Sequence, residues 1–521
     1  MLKPDYNKKD RNKGKSRGRK PRIKASVPRK ASQDKFEDKG HTYDVDSKAE
    51  NANDIVWWNH NPELTKAAGK LSFNNPLGVP VYWDNSVLNF PGVAKIQFAP
   101  TIGRAQEIDD PVNVAATNIY SFVRSKNSGA VNYEAPDYMM YNLTVDSFYL
   151  FHAWMVRVYG LVNSYTILNR YVPRVILEAM NVDFASLSGR LADFNYFINQ
   201  FAVRIGSLAV TDGFDYYQRH RWLVSHIWAD AGNDKAQFYF YDPQFLYTFQ
   251  AKTSEHGSQL LPLQFKPLTG EKWTLDELIA YAEELLGDVL LDTDIGTFSG
   301  DTLKAFGPEN LIQIPMIDET YSLKPEYNVE VLGQIHNTVL LGALDITKTN
   351  ISQSDSVINA NYVLGNPGTD AWQVQYTQLL LNSYDDDPSE EQVMEFTRNM
   401  SLANIPGTEA PQEVLLCGTE IMTNCTIYLI SGNALNTVII PTSVLNSSGT
   451  NFANLLTRTL AFDWFPILYR AGGLRGFRSP MADIRNFTTI DVNKLRILHE
   501  TALLSAFNVE QIGRSAFTLN R

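Results

Sequence analysis

Residues 183–210 read DFASLSGRLADFNYFINQFAVRIGSLAV, and the spacing of their apolar side chains decides the fold class of the middle of the chain. Phe184, Leu187, Leu191, Phe194, Ile198, Phe201, Ile205 and Leu208 follow one another at steps of three and four residues. That is heptad spacing, which puts all of them on one stripe of an α-helix. Tyr196, Phe197, Ala202 and Val203 widen the stripe beyond the narrow seam of a free coiled-coil dimer. The stretch therefore predicts a single helix, capped by Asp183, with one broad face buried in a globular domain. Such a helix is core or interface scaffolding and carries no chemistry.

Helical signals continue on both sides. Thr144 to Val172 predicts a helix with Thr144 as N-cap and Asp146 in its first turn, and Pro173 either stops it or opens the next helix. Phe148 to Val162 is the longest apolar run, but His152 and Arg157 interrupt it and it is too short to span a bilayer. Residues 214–245 are dense in aromatics and hold Arg219, His220, Arg221 and His226. Thr274 and Glu277 form a capping-box pattern ahead of a helix that Gly287 should stop. Residues 144–290 thus read as predominantly helical.

The period then changes. In 361–381, NYVLGNPGTDAWQVQYTQLLL, an Asn-Pro-Gly turn precedes the alternation of Trp372, Val374 and Tyr376, a hairpin pattern. Strand-like runs follow at EVLLCG, CTIYLIS and NTVIIPTSVL, with a helix start at Asp387-Pro388-Ser389-Glu390-Glu391. A β-richer unit is expected over about 355–445, and helix returns in NFANLLTRTLAF and VNKLRILHETALLSAF. The fold class expected is α+β, predominantly α-helical.

The N-terminal 30 residues are of another kind. MLKPDYNKKDRNKGKSRGRKPRIKASVPRK holds thirteen basic residues, Lys3, Lys8, Lys9, Arg11, Lys13, Lys15, Arg17, Arg19, Lys20, Arg22, Lys24, Arg29 and Lys30, against two Asp. Almost nothing in it is apolar, so it cannot bury enough surface to offset its ordering entropy. The whole chain carries −11 and this arm +11, so residues 31–521 carry −22. A cationic arm on an acidic body binds a polyanion at one place and repels it elsewhere. With Tyr6 as its only aromatic, the arm offers contacts to nucleic-acid phosphates without base reading. Residues 31–54 mix both charges and extend the arm as a linker. At Ile55 the composition turns aromatic, with Trp57, Trp58, Phe73, Tyr82 and Trp83 among Asn-Pro and Val-Pro turn signals.

Chemistry is sparse. Cys417 and Cys425 are too few for a disulfide framework, and a reducing, cytoplasmic setting is expected. The phosphate-loop, dinucleotide, zinc-protease and serine-hydrolase patterns are absent, as is Gly-Asp-Asp. Asp292-Thr293-Asp294-Ile295-Gly296 misplaces the glycine of a calcium loop and has Leu303 where a bidentate Glu belongs. Asp385 to Asp387 suit a helix N-terminus better than a metal. His220 and His226 lie off ligand spacing, with Arg219 and Arg221 repelling a cation, so burial or an RNA-facing role suits them better. No enzyme activity, cofactor, metal, small-molecule substrate or stable membrane insertion is expected.

Six stretches carry a family likeness: NDIVWWNHNPELTKAAGKLSFNNPLG, NRYVPRVILEAMNVDFASLSGRLADFNYFINQFAVRIGSL, RHRWLVSHIWADAGNDKAQFYF, SGDTLKAFG, CGTEI and LAFDWFP. They resemble the capsid proteins of picobirnaviruses, over about 53–466. The resemblance implies a coat protein that dimerises and tiles a small icosahedral shell around a double-stranded RNA genome, first in the host cytoplasm and then in the virion. It also implies a mainly helical shell domain with a smaller β-richer projecting domain. With the readings above, that gives a basic RNA-binding arm and linker (1–54), a shell domain (55–320), the projection (321–448) and C-terminal helices returning to the shell (449–521). The arm of such proteins can be removed by self-cleavage, for which Asn51-Ala52 is the candidate bond. An alternative reading is a nucleoprotein that coats RNA without closing a shell.

Overall fold

The structure, a computed structural model, describes residues 60–69 and 89–509, the latter apart from 130–131, 167–168, 232–235, 253–256, 288, 291, 366–377, 405–412, 432–433, 447–454, 456–457, 472–477 and 481–485, together with the strand backbones at 37–38, 41–42 and 81–82. The chain divides into two units, Met1–Phe73 and Asn74–Arg521. The first contains the helix Pro62–Gly69, which buries none of its residues.

The second unit is built around strand β1, Val93–Pro100, and one long helix. Between them in sequence lies α1, Pro111–Lys126, and the long helix is α2, Ala135–Asn163. Nearly every residue of α2 from Pro136 to Val162 is buried, so it is apolar on all sides, as a helix enclosed by its neighbours must be. The expected start at Thr144 is too late. The helix begins nine residues earlier, at Ala135, where the Asp137 carboxylate accepts a hydrogen bond from the Glu134 N–H. Thr144 lies within the helix and turns its hydroxyl to the Met140 carbonyl, 2.7 Å away. The helix ends at Asn163, and α3 spans Tyr171–Ala179 with Pro173 in its first turn, where the missing N–H costs nothing.

Asp183 caps a helix as expected, accepting from the Ser186 N–H at 3.1 Å. The predicted single helix is broken at Arg190, however, into α4, Phe184–Gly189, and α5, Leu191–Ile205. The buried face agrees with the heptad reading: Leu187, Phe194, Ile198, Phe201, Ile205 and Leu208 are all in the core. Phe197 and Ala202 join them, whereas Tyr196 and Val203 point to solvent.

α6, Asp215–Ser225, leads into strands, so the stretch after it is not helical as expected. These are β2 (Trp228–Ala229), β3 (Phe238–Pro243), β4 (Phe245–Gln250) and β5 (Gln259–Gln264). The run FYFYDP is buried at every position, and a short apolar run enclosed on both faces is a central strand. Helices α7, Leu275–Leu286, and α8, Thr293–Phe306, follow. Thr274 caps α7 as expected and Gly287, at φ 47°, ends it. Glu277 does not complete the capping box; its carboxylate accepts from the N–H groups of Leu268, Thr269 and Gly270. The rejected calcium loop is the start of α8, with the Asp292 side chain on the N–H groups of Asp294 and Ile295.

The later elements are α9 (Val329–His336), β6 (Asn350–Ser354), β7 (Val357–Asn361), β8 (Gln378–Ser383), α10 (Glu390–Phe396), β9 (Glu420–Ser431), β10 (Ala434–Ile440), β11 (Asn486–Asp491) and α11 (Val492–Ala506). Ser389 caps α10 at the predicted helix start. The central sheet runs β10-β9-β1-β3-β2, in which β9 is antiparallel to β1 (Cys425 opposite Ile96) and β3 is parallel to it (Tyr241 opposite Ile96). A second, antiparallel sheet runs β7-β6-β5-β4. The Asn-Pro-Gly turn of the hairpin expected over 361–381 lies outside the described residues. β7 pairs with β6, and β8 pairs with β11, Leu379 opposite Ile490; Trp372, Val374 and Tyr376 lie outside the described residues, as does half of NFANLLTRTLAF.

Two cores result. The large one joins α2, α5, α6 and the central sheet, and it includes Ile421, Cys425 and Ile427 of β9. A smaller one gathers Val339, Leu379, Leu381, Phe396, Met400, Ile490 and Leu495. Segments assigned from sequence to the shell and to the projection thus share the central sheet.

Candidate functional site

All thirteen arm cations and Asn51-Ala52 lie outside the described residues. What the described residues do contain is a buried cluster of charge where α2, α6 and the start of β9 meet. α6 is placed there by its aromatic face: Tyr217 donates to the Asn142 carbonyl on α2, and Tyr216 to the Thr101 carbonyl just past β1. That seating aims Arg219 and His220 inward. Arg219 donates through Nε at 3.0 Å and Nη2 at 2.6 Å to Glu420 Oε1, and Nη2 also reaches Asn399 Oδ1 at 3.3 Å. His220 lies with Nδ1 2.6 Å from Asp146 Oδ2 and Nε2 3.0 Å from the Thr419 carbonyl. Asn399 in turn donates to the Tyr241 hydroxyl of β3.

The charged groups of the cluster set one another's protonation. Burial alone would raise the Glu420 carboxyl, but Arg219, Arg398, His220 and the Thr419 hydroxyl outweigh it and hold it at about 2. Burial pulls His220 down, yet Asp146, Glu420 and the Thr419 carbonyl together raise it. Its Nε2 faces a carbonyl and must carry hydrogen, and one further proton sits in the Asp146 contact, so the Asp146–His220 pair is neutral as a whole. A second such lock lies on the other side of β3: Arg157 donates to the Tyr241 carbonyl at 2.7 Å and to Asp242, and Asp242 also accepts from Trp154 Nε1.

These groups cannot act on a substrate. Both locks are enclosed, with Asp146 Oδ1 and Arg157 Nε buried and without a hydrogen-bond partner, and the Cys417 thiol is pushed up by burial to about 12, far from a thiolate. Among the described residues no set of three His, Cys, Asp or Glu side chains could hold a metal, and no helix is long and apolar enough to cross a membrane. The clusters tie helices to the central sheet. Of the two histidines for which the sequence suggested burial or an RNA-facing role, His220 is buried and His226 half-buried. The sequence reading did not foresee the partners of His220 and Arg219, because Asp146 and Glu420 stand far from them in the chain.

The comparisons with known proteins agree with an architectural role. The family described as "Picobirnavirus, Capsid protein" matches residues 57–463. The chain belongs to the picobirnavirus capsid protein family. It is 30% identical over 514 residues to the "Capsid protein precursor" of Human picobirnavirus (strain Human/Thailand/Hy005102/-), covering 88% of this chain and 92% of that one. Its fold is similar to that in the X-ray crystallographic structure of the picobirnavirus capsid, with a TM-score of 0.74 over 87% of this chain and 98% of the other, at 23% identity. It is therefore a picobirnavirus capsid protein, a structural component of the virion and not a member of an enzyme family. The buried locks belong to the framework of a capsid subunit.

Proposed function

We propose that this capsid protein dimerises and that the dimers close a small icosahedral shell around double-stranded RNA, with the arms inside on RNA phosphates. The observation that carries the reading is the partition of charge, +11 in 30 residues against −22 in the rest. Lys3 to Lys30 from many copies neutralise the genome, while the acidic bodies keep RNA from coating other faces. Assembly takes place in the host cytoplasm. The projection is drawn from those parts of 321–448 that lie outside the central sheet. The arm is released by self-cleavage at Asn51-Ala52, where the Asn side-chain amide attacks its own main-chain carbonyl; the relative's description as a precursor is in keeping with such processing.

The test is electron microscopy of the purified full-length protein and of a variant lacking residues 1–30, with the 260/280 nm absorbance ratio of each particle fraction. The full chain should give closed shells with nucleic-acid absorbance, and the deletion should give folded dimers or empty shells. Filaments from the full chain, or a deletion that cannot fold, would sink the reading. N-terminal sequencing of assembled particles tests the cleavage: Ala52 is expected, and an intact Met1 removes it.

A further inference from the structure

α5 carries two seams. One is the buried heptad stripe of Phe194, Ile198, Phe201 and Ile205. The other faces solvent and repeats the same three-and-four spacing: Ala192, Tyr196, Asn199 with Gln200, Val203, and Ser207 two residues past the helix end. Tyr196 is 70% exposed and Val203 57%. Beside this stripe the chain at Ile317 is clamped to Asn199, N–H to Oδ1 at 2.9 Å, which sets Met316, 65% exposed, alongside.

No charge stands on the stripe, in a chain whose body is strongly acidic. The charges of the helix are engaged at its margins, Arg190 with Asp193 and Asp276, and Arg204 with Glu283. RNA would find no free cation here, and the basic arm no free carboxylate. A surface without charge is where two acidic bodies can meet without repulsion.

The stripe is also palindromic. Laid antiparallel on its own copy about a twofold axis between Asn199 and Gln200, it sets Tyr196 against Val203, Val203 against Tyr196, and Ala192 against Ser207. A large residue meets a medium one and small meets small, the self-complementarity that an isologous contact requires. We propose that this outer face of α5 packs antiparallel against the same face of a second copy, with Tyr196 as its anchor and Met316 widening the contact. A 15-residue helix is about 22 Å long, and a standard interface takes roughly 800 Å² from each partner. The helix pair is thus the centre of a wider contact. The inference rests on the self-association proposed above and names its surface.

Charge reversal tests the pairing on the full-length chain. Tyr196→Glu alone and Val203→Lys alone should each cut the dimer fraction in sedimentation velocity at least tenfold, because either places two charges against apolar partners. The double variant should recover dimers, since each Glu then faces a Lys of the other copy; within one helix the two positions are two turns apart and cannot pair. Ile108→Glu, at an exposed apolar residue elsewhere, should leave dimers unchanged. Gln200→Cys, at the axis, should give a disulfide-linked dimer on mild oxidation, a readout that holds even if a charged variant misfolds. Single variants that dimerise like the unaltered chain, a double variant that stays monomeric, or no Gln200→Cys cross-link in a dimerising protein would each overturn the helix pairing while leaving self-association standing. An unaltered chain that stays monomeric at every concentration would overturn both.

Discussion

Glu420 is the counter-charge for two half-buried guanidinium groups, those of Arg219 and Arg398, and it has itself no access to water. Removing one partner from such a group leaves the others charged and unpaired, which costs about 3–5 kcal/mol, whereas an exposed ion pair is worth under about 1 kcal/mol. Glu420→Gln should therefore lower the folding free energy by about 3–5 kcal/mol, read from the urea midpoint. Arg190→Ala, at an exposed pair, should leave it almost unmoved. Two histidines set an acid limit. Burial, helped by Arg221, pushes His152 down to about 4; burial, with Arg398 and against the hydrogen bond to the Met400 carbonyl, does the same for His499. An unfolded His titrates near 6.5, so between about 6.5 and 4 the unfolded chain binds protons that the folded chain refuses. Stability is full above this window and falls as the pH drops through it, by on the order of 3 kcal/mol per histidine. His220, whose value is raised, contributes in the opposite direction. The comparison of His152→Gln with the unaltered chain across pH 4 to 7 isolates one histidine: the variant should lose part of the acid slope.

At the scale of elements, α2 shows how tertiary contact overrides propensity. Gly160 sits inside this helix, where Ala would gain about 1 kcal/mol of helix propensity. A methyl group there would meet Leu323 Cβ at 2.9 Å, the Leu323 N–H nitrogen at 3.0 Å and Tyr321 Cε1 at 2.7 Å. That backbone cannot move aside freely, because the Leu323 N–H is bonded to the Gly160 carbonyl at 3.1 Å. Overpacking costs about 1–3 kcal/mol, so Gly160→Ala should destabilise despite the better helix former, lowering the thermal midpoint. Periodicity could reveal which face of α5 is buried, since that follows from side-chain spacing alone. It could not reveal the break at Arg190, nor that β8 pairs with β11 across about a hundred residues, since the choice of a strand's partner depends on what else is packed nearby.

For the whole molecule, the partition of charge makes a quantitative demand on the proposed function. If the arm alone holds RNA, affinity must fall steeply with salt as counterions return to the phosphates. An arm engaging 6–10 phosphates should lose roughly 10³–10⁵ in affinity between 50 and 200 mM salt. Filter binding of full-length dimers checks this, and the chain without residues 1–30 should show no salt-dependent binding. A deletion that binds RNA as tightly as the full chain would move the RNA contact onto the acidic body.

The basic arm, the heptad stripe of residues 184–208, the caps at Asp183, Thr274 and Ser389, and the family likeness were all legible in the sequence, because each depends on residues near one another in the chain. The pairing of Arg219 with Glu420, of His220 with Asp146 and of β1 with β9 was decided by the tertiary structure alone. Those partners are brought together only when α2, α6 and the central sheet share one core, and a buried charge finds its counter-charge in space, whatever the distance between them along the chain.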